Sequence, residues 1–253
     1  MKIERRHIPT LVFLATVILI SAAVMIRLVT YHPSETERMV EAYAREQGIS
    51  FHKYPKSLID LLERNPETEE FVLNYPFRQE TSIDMTEFDR TTGVPLMMQW
   101  DTRWGYMTYG SDFVANTGCG PVCLAMAGWY LTGDTKYSPD QVIEFATENG
   151  YYSKGNGSKW TLISQGGVDL GLKVTELPLV EKKITNYLKA GEIIIAVMGP
   201  GDFTTTGHYI LLTGMKDGEL RINDPNSHAN SEKTWPYETF AAQVRNLWLI
   251  QNP

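Results

Sequence analysis

One stretch of this sequence sets the terms for any fold. From Cys119 to Leu131 there is no charged residue, and Val122, Leu124, Ala125, Met126 and Trp129 leave the stretch apolar on every face of a helix. A helix with no polar side belongs in the middle of a domain, so the other elements have to be arranged around it. Its entrance is Gly118-Cys119-Gly120-Pro121. Pro121 suits the first helical turn, which needs no amide donor. Cys119 therefore stands at the helix amino terminus, where unpaired amides and the helix dipole favour a negative charge.

After this helix the pattern runs through helices first and strands later. Helices are expected over 140–148, 159–170 and 181–190, each ending near a glycine. Strands are expected over 193–198, 209–213, 220–223 and 247–251, with Asp217-Gly218 turning between the second and third. That order predicts an α+β fold with helices packed on a mainly antiparallel sheet.

Ahead of the domain, Lys2, Arg5 and Arg6 precede an uncharged run from Ile8 to Ile26, closed by Arg27. About 20 apolar residues cross a bilayer as a helix, and a basic flank stays in the cytoplasm. Residues 1–30 are thus expected to be a cytoplasmic flank and transmembrane anchor, with the rest of the chain outside the cytoplasm. A signal peptide cleaved near Ser21-Ala22-Ala23, giving a secreted protein, is the alternative. Residues 31–93 read as a helical neck: Ser34-Glu35-Thr36-Glu37 has the form of a capping box, short helices follow over 55–62 and 66–73, and Arg78 to Thr92 is polar and aperiodic. Residues 94–253 form the main domain.

The formal net charge of -7 argues against a nucleic-acid partner, which would call for a basic face. Only two cysteines occur, Cys119 and Cys123, so neither a disulfide framework nor a paired metal knuckle is expected. A free thiol is most often a small core residue, and that reading fits Cys123, one turn deeper in the helix. A core cysteine has no need of a glycine on each side or of a helix end that tends to ionise it, so Cys119 is the candidate nucleophile.

A thiolate nucleophile needs a base, and His208 follows Gly207 at the start of a predicted strand. His7 precedes the apolar run, His32 and His52 fall in the neck, and His228 sits in the polar stretch Asn226 to Ser231, where a solvated loop is expected. With Lys216-Asp217-Gly218 as a three-residue hairpin loop, Met215 pairs with Glu219, and Asp224 falls opposite Ile210 on the face that carries His208. Asp224 can then fix the imidazole tautomer, although Asp-Pro alone favours a turn opener.

Taken in order, the segment Leu96-Met97-Met98-Gln99-Trp100-Asp101-Thr102-Arg103-Trp104-Gly105, then Gly118-Cys119-Gly120-Pro121, Gly207-His208-Tyr209 and Asn223-Asp224-Pro225 resemble the C39-like peptidases of the papain-like clan, relatives of the leader-peptide-processing domains of bacterial peptide exporters. The similarity spans about Pro95 to Leu249. The resemblance implies a papain-like fold, with the Cys119 helix packed on the sheet that carries His208 and Asp224. It also implies that Gln99 supplies a side-chain donor to the oxyanion hole beside the Cys119 amide. Trp100 and Trp104 are expected to pack rather than to bind substrate. Leader-peptide processing does not carry over automatically from that resemblance, since no transporter segment follows Pro253 in the sequence.

The expected function is peptide-bond hydrolysis by a membrane-anchored, extracytoplasmic cysteine peptidase acting on a peptide or protein substrate, with no cofactor and no metal. Amide hydrolysis or transpeptidation of cell-wall peptides by the same residues is one alternative. A non-catalytic papain-like module that binds a peptide is another.

Overall fold

A computed structural model describes residues 12–13, 15–21, 32–79, 81–155 and 157–252. They fall in two compact units, residues 1–51 and 52–253. In the first unit, residues 12–13 and 15–21 are helical, and Val12, Phe13 and Leu19 are well exposed. The remainder of the apolar run and its basic flank lie outside the described residues. Among the described residues no helix is long and apolar enough to cross a membrane. Helix α1, Glu35–Glu46, begins with the expected capping box: Ser34 Oγ accepts from the Glu37 amide at 3.1 Å, and the Glu37 carboxylate accepts from the Ser34 amide at 2.9 Å.

The second unit opens with α2, Lys56–Arg64, and α3, Glu69–Asn74. Between them Asn65 caps a short turn, its side chain accepting from the Glu67 amide. There follow α4, Val114–Thr117; α5, Cys119–Thr132; α6, Pro139–Glu148; α7, Glu181–Lys189; α8, His228–Glu232; and α9, Tyr237–Gln243. Six strands, β1 Lys173–Glu176, β2 Ile193–Met198, β3 His208–Lys216, β4 Glu219–Asn223, β5 Thr234–Trp235 and β6 Val244–Gln251, form one sheet. Their order is β1-β6-β2-β3-β4-β5, antiparallel throughout. The α+β reading of helices on an antiparallel sheet therefore holds.

The sheet is covered on both faces, which the sequence reading did not include. Ile193, Ile195, Val197, Tyr209 and Leu211 face the core built around α5. Ile194, Ala196, Met198, Ile210 and Leu212 face a second core containing Ile184 and Leu188 of α7 and Phe240 of α9. Two-sided burial explains why β2 reads Ile-Ile-Ile-Ala-Val-Met without alternation. Within α5, Gly120 through Trp129 is buried, as an all-round apolar helix requires. Gly133, in the left-handed conformation at φ 68°, ends it.

Two local expectations are corrected. The β3–β4 hairpin turns on two residues, Asp217 and Gly218, both at positive φ, and pairs Lys216 with Glu219 rather than Met215 with Glu219. A register shift between Leu212 and Gly214 takes up the difference, so Asn223 still lies opposite Leu211 and Asp224 arrives where the longer loop would have put it. The helix expected over 159–170 is a π turn, Leu162–Gly166, running into Gly167–Asp169. Its backbone is pressed against neighbours here: a Cβ on Gly167 would come within 2.9 Å of Val174, and one on Gly166 within 3.1 Å of Tyr151.

Candidate active site

Three elements meet at one end of the sheet. There β2 ends at Met198 opposite His208, β3 begins at His208, and β4 gives way to Asp224. The amino terminus of α5 brings Cys119 to the same place, half-buried, on the walls of both arms of a cleft that His208 also lines. The glycines flanking the thiol have packing reasons. A Cβ on Gly118 would come within 2.4 Å of Val114, and one on Gly120 within 2.6 Å of Ser158 Oγ. They lie in close contact with α4 and with the segment at 157–158.

His208 Nε2 and Asp224 Oδ1 are 2.6 Å apart, with both side chains buried. That bond leaves Nδ1 as the ring nitrogen available to the Cys119 thiol, which lines the same cleft. Burial disfavours the charged imidazole, but the Asp224 carboxylate, its hydrogen bond and Cys119 outweigh it and push His208 up to about 10. Burial likewise works against the charge on Asp224. The imidazole opposite, the Asn230 side chain and the Asn226 amide overcome it, and the carboxyl is held below its ordinary value. Cys123 behaves oppositely to an active thiol: full burial, with Cys119 and Asp224 adding to it, pushes it well up.

Asp224 is held from several sides. Its Oδ1 also accepts from the Asn226 amide at 2.9 Å, and its Oδ2 accepts from Asn230 Nδ2 at 2.8 Å. Ser231 Oγ takes the Asp224 amide at 2.9 Å. The stretch 226–231, expected to be a solvated loop, thus carries the residues that fix the acid. The signal was available in its run of Asn and Ser after Asp-Pro, side chains that bond the nearby backbone. His228 lies at the start of α8, with its ring edge-on to Trp100 at 5.3 Å.

Gln99 is buried beside the cleft. Its amide nitrogen donates to Ala115 O at 2.6 Å, and its Oε1 is buried with no hydrogen-bond partner among the described residues. Turning the amide over would set two oxygens face to face, so the nitrogen is fixed on this side, and its second N–H is free to serve another acceptor. The backbone at Gln99 donates to Pro225 O at 2.7 Å, tying the glutamine to the residue after Asp224. The segment behind it is held by Arg103, which bridges Asp101 at 2.6 Å and Glu87 at 2.7 Å and lies over the Phe88 ring. Trp104 is fully buried and donates to Met98 O, whereas Trp100 donates to Asn226 O, so both pack.

Part of the segment read as a neck belongs to this unit. Glu67 accepts from Ser227 Oγ at 2.7 Å and from the His228 amide at 2.6 Å. Asn65 Nδ2 donates to Asn226 O at 2.7 Å, and the Tyr106 hydroxyl donates to Phe71 O. Among the described residues, no group of three or more His, Cys, Asp or Glu is placed to hold a metal ion.

This arrangement combines a thiol, an imidazole with an oriented proton, an acid and a fixed amide donor around one cleft, which is the equipment of nucleophilic acyl transfer. Two solved structures are among those that match this chain. The peptidase domain of Streptococcus ComA, described as a bi-functional ABC transporter in a quorum-sensing pathway, is 19% identical with a TM-score of 0.43, the match covering 62% of this chain and 98% of that domain. A C39-like peptidase from Bacillus anthracis is 16% identical with a TM-score of 0.40, the match covering 64% of this chain and 96% of that one. No curated protein matches. The model of the Peptidase_C39-like family matches residues 91–252, a span that takes in the cleft and its sheet, and the chain belongs to that family of cysteine peptidases.

Proposed function

We propose that this chain hydrolyses peptide bonds with Cys119 as nucleophile, His208 as general base and acid, Asp224 as the group that orients the imidazole, and Gln99 as an oxyanion donor. The observation that carries the reading is the His208–Asp224 contact of 2.6 Å, made through Nε2, in a cleft that also holds Cys119 and Gln99. In the first step Cys119 Sγ bonds to the carbonyl carbon while the proton of the Cys119–His208 pair is held on His208 Nδ1. The tetrahedral oxyanion is met by the spare N–H of Gln99 and the amide at the start of α5. The C–N bond then breaks, His208 returns the proton to the leaving amine, and a thioester remains. Water, deprotonated by His208, releases the acid and restores the thiol.

We further propose that the reaction takes place outside the cytoplasm, on a protein tethered through residues 8–26. The support is the uncharged run behind Lys2, Arg5 and Arg6. Resistance of the full chain to alkaline extraction from membranes, with its C-terminal unit open to protease added outside, is the expected outcome; a freely extracted protein would remove the tether.

The chemistry is tested by labelling with iodoacetamide from about pH 5 to 9, alongside assays on peptide mixtures. Near pH 6 an ordinary thiol is almost wholly protonated and reacts slowly. Fast labelling there, absent in Cys119→Ala, kept in Cys123→Ala and slowed in His208→Ala, is expected. Peptide cleavage should disappear with Cys119→Ala and fall about 10²- to 10³-fold with Gln99→Ala. Labelling that survives Cys119→Ala would overturn the assignment.

A further inference from the structure

We propose that Arg64, at the end of α2 and outside the matched residues 91–252, is a specificity residue that reads a carboxylate on the leaving-group side of the scissile bond; this rests on the hydrolytic reading above. The cleft has two arms, each of about 650 Å³, that meet at Cys119 and His208. One is lined by Ser158, Trp160 and Arg245. The other is lined by Gln99, Leu61, Arg64, Asn65 and the loop over 201–207.

Peptide geometry decides which arm takes which half of the substrate. In a trans peptide the two Cα atoms lie on opposite sides of the C–N bond, so the carbonyl oxygen and the Cα of the leaving residue lie on the same side. With the oxygen aimed at Gln99, the leaving segment runs past Gln99 into the Arg64 arm. The acyl segment is then directed toward Trp160.

Charge in the Arg64 arm comes from Arg64, Asp202 and His208. His208 is committed to Asp224. Asp202 is turned toward Gln243, whose Nε2 donates to its carboxylate at 2.5 Å and whose Oε1 accepts from its amide at 2.6 Å. Arg64 donates from Nη2 to Asn116 Oδ1 at 3.1 Å, and Asn116 is itself anchored by donating to Ser57 O at 3.3 Å. No carboxylate lies within ion-pairing distance of Arg64 among the described residues, and the nearby Glu67 is engaged with Ser227 and His228. A guanidinium tethered at a cleft wall, with donors left over and no counter-charge, is suited to a planar carboxylate.

The ligand is therefore an acidic side chain or the substrate's own C-terminal carboxylate, and the experiment separates the two. Peptide libraries with free or amidated C-termini are cleaved by the full chain and by Arg64→Gln and Arg64→Lys, and the products are sequenced by mass spectrometry. The readout is the cleavage ratio of Glu-containing to matched Gln-containing sequences on the leaving side, which is internal to each variant and insensitive to its folded fraction. A ratio of about two to five is expected for an exposed pair. It should fall to about one in Arg64→Gln and recover in part in Arg64→Lys. If the terminal carboxylate is the ligand, the effect appears instead as a free-acid to amide ratio with the same dependence on residue 64. Ratios unchanged by Arg64→Gln overturn the proposal while leaving hydrolysis intact. If no peptide is cleaved at all, hydrolysis is the reading that fails. Retention of the same libraries on Cys119→Ala then decides the Arg64 question, selective retention of acidic peptides that is lost with Arg64→Gln supporting it and equal retention overturning it.

Discussion

The two walls of the cleft hold their reactive groups by different means. The helix wall positions Cys119 by shape: α5 is buried from Gly120 to Trp129, and a Cβ on Gly118, Gly120 or Gly128 would run into Val114, Ser158 or Tyr137. The sheet wall positions His208 by hydrogen bonds, from the imidazole to Asp224, from Asp224 to Asn226, Asn230 and Ser231, and from the Trp235 indole to Asn230 O. A fault in the first wall is a fault of volume and is paid in folding stability. A fault in the second is a missing donor or acceptor, and it appears in protonation.

The largest effect that sharpens this contrast is expected from Asp224→Ala. His208 would be left buried with no acid on Nε2, so its orientation and its positive form are both lost, and kcat/KM should fall about 10²-fold or more. The stability consequence has a definite pH window. His208 is raised above its ordinary 6.5, so its contribution is complete below about pH 6.5 and is lost as the pH climbs toward about 10. Asp224 is lowered from 3.8, so its contribution is present above about pH 4 and is lost as the pH falls through its depressed value. Thermal melts of the wild type and Asp224→Ala should therefore differ most between about pH 4 and 6.5 and converge at either extreme. A gap independent of pH would mean that the pair is held by packing after all, and the contrast between the walls would collapse.

On the helix wall the corresponding change is Gly128→Ala. Its Cβ would lie 2.0 Å from the Tyr137 ring, and that ring is pinned by its hydroxyl donating to Leu170 O at 2.7 Å. Overpacking of this kind costs about 1–3 kcal/mol, seen as a lower denaturation midpoint. Activity per folded molecule and both limbs of its pH profile should stay where they are. Movement of either limb would show that α5 tunes the proton chemistry as well as placing the sulfur.

The same contrast explains what could be read from the chain. The helix wall was legible because burial leaves a mark on composition: an uncharged stretch with glycines at its entrance can only be a central helix. His208 and Asp224 were legible through strand register, even though the hairpin was assigned one residue too many, because the shift between Leu212 and Gly214 restored the pairing. The network around Asp224 was not, nor was the place of residues 56–77. Asn65 reaches Asn226 across 161 residues of sequence, and Glu67 reaches Ser227 across 160, through single polar side chains that impose no period on the chain. The second core, on the far face of the sheet, was hidden for a related reason: α9 is too short to show a helical repeat.

The smallest change is the most discriminating. Asn230→Ala removes the donor on Asp224 Oδ2 and leaves the bonds from His208 and Asn226 on Oδ1 untouched. With less support for its charge, Asp224 takes up a proton more readily, so the acid limb of the pH–rate profile and the onset of acid unfolding should both move to higher pH. The alkaline limb should not move downward, because a carboxylate with fewer donors is a better acceptor for the Nε2 proton and supports the imidazolium at least as well. At neutral pH, where Asp224 stays ionised, kcat/KM should change by less than about tenfold, in keeping with one hydrogen bond to a charged group. A rate loss at neutral pH as large as that of Asp224→Ala would mean that Asn230 holds the loop rather than the charge, and the sheet wall would then depend on geometry as the helix wall does.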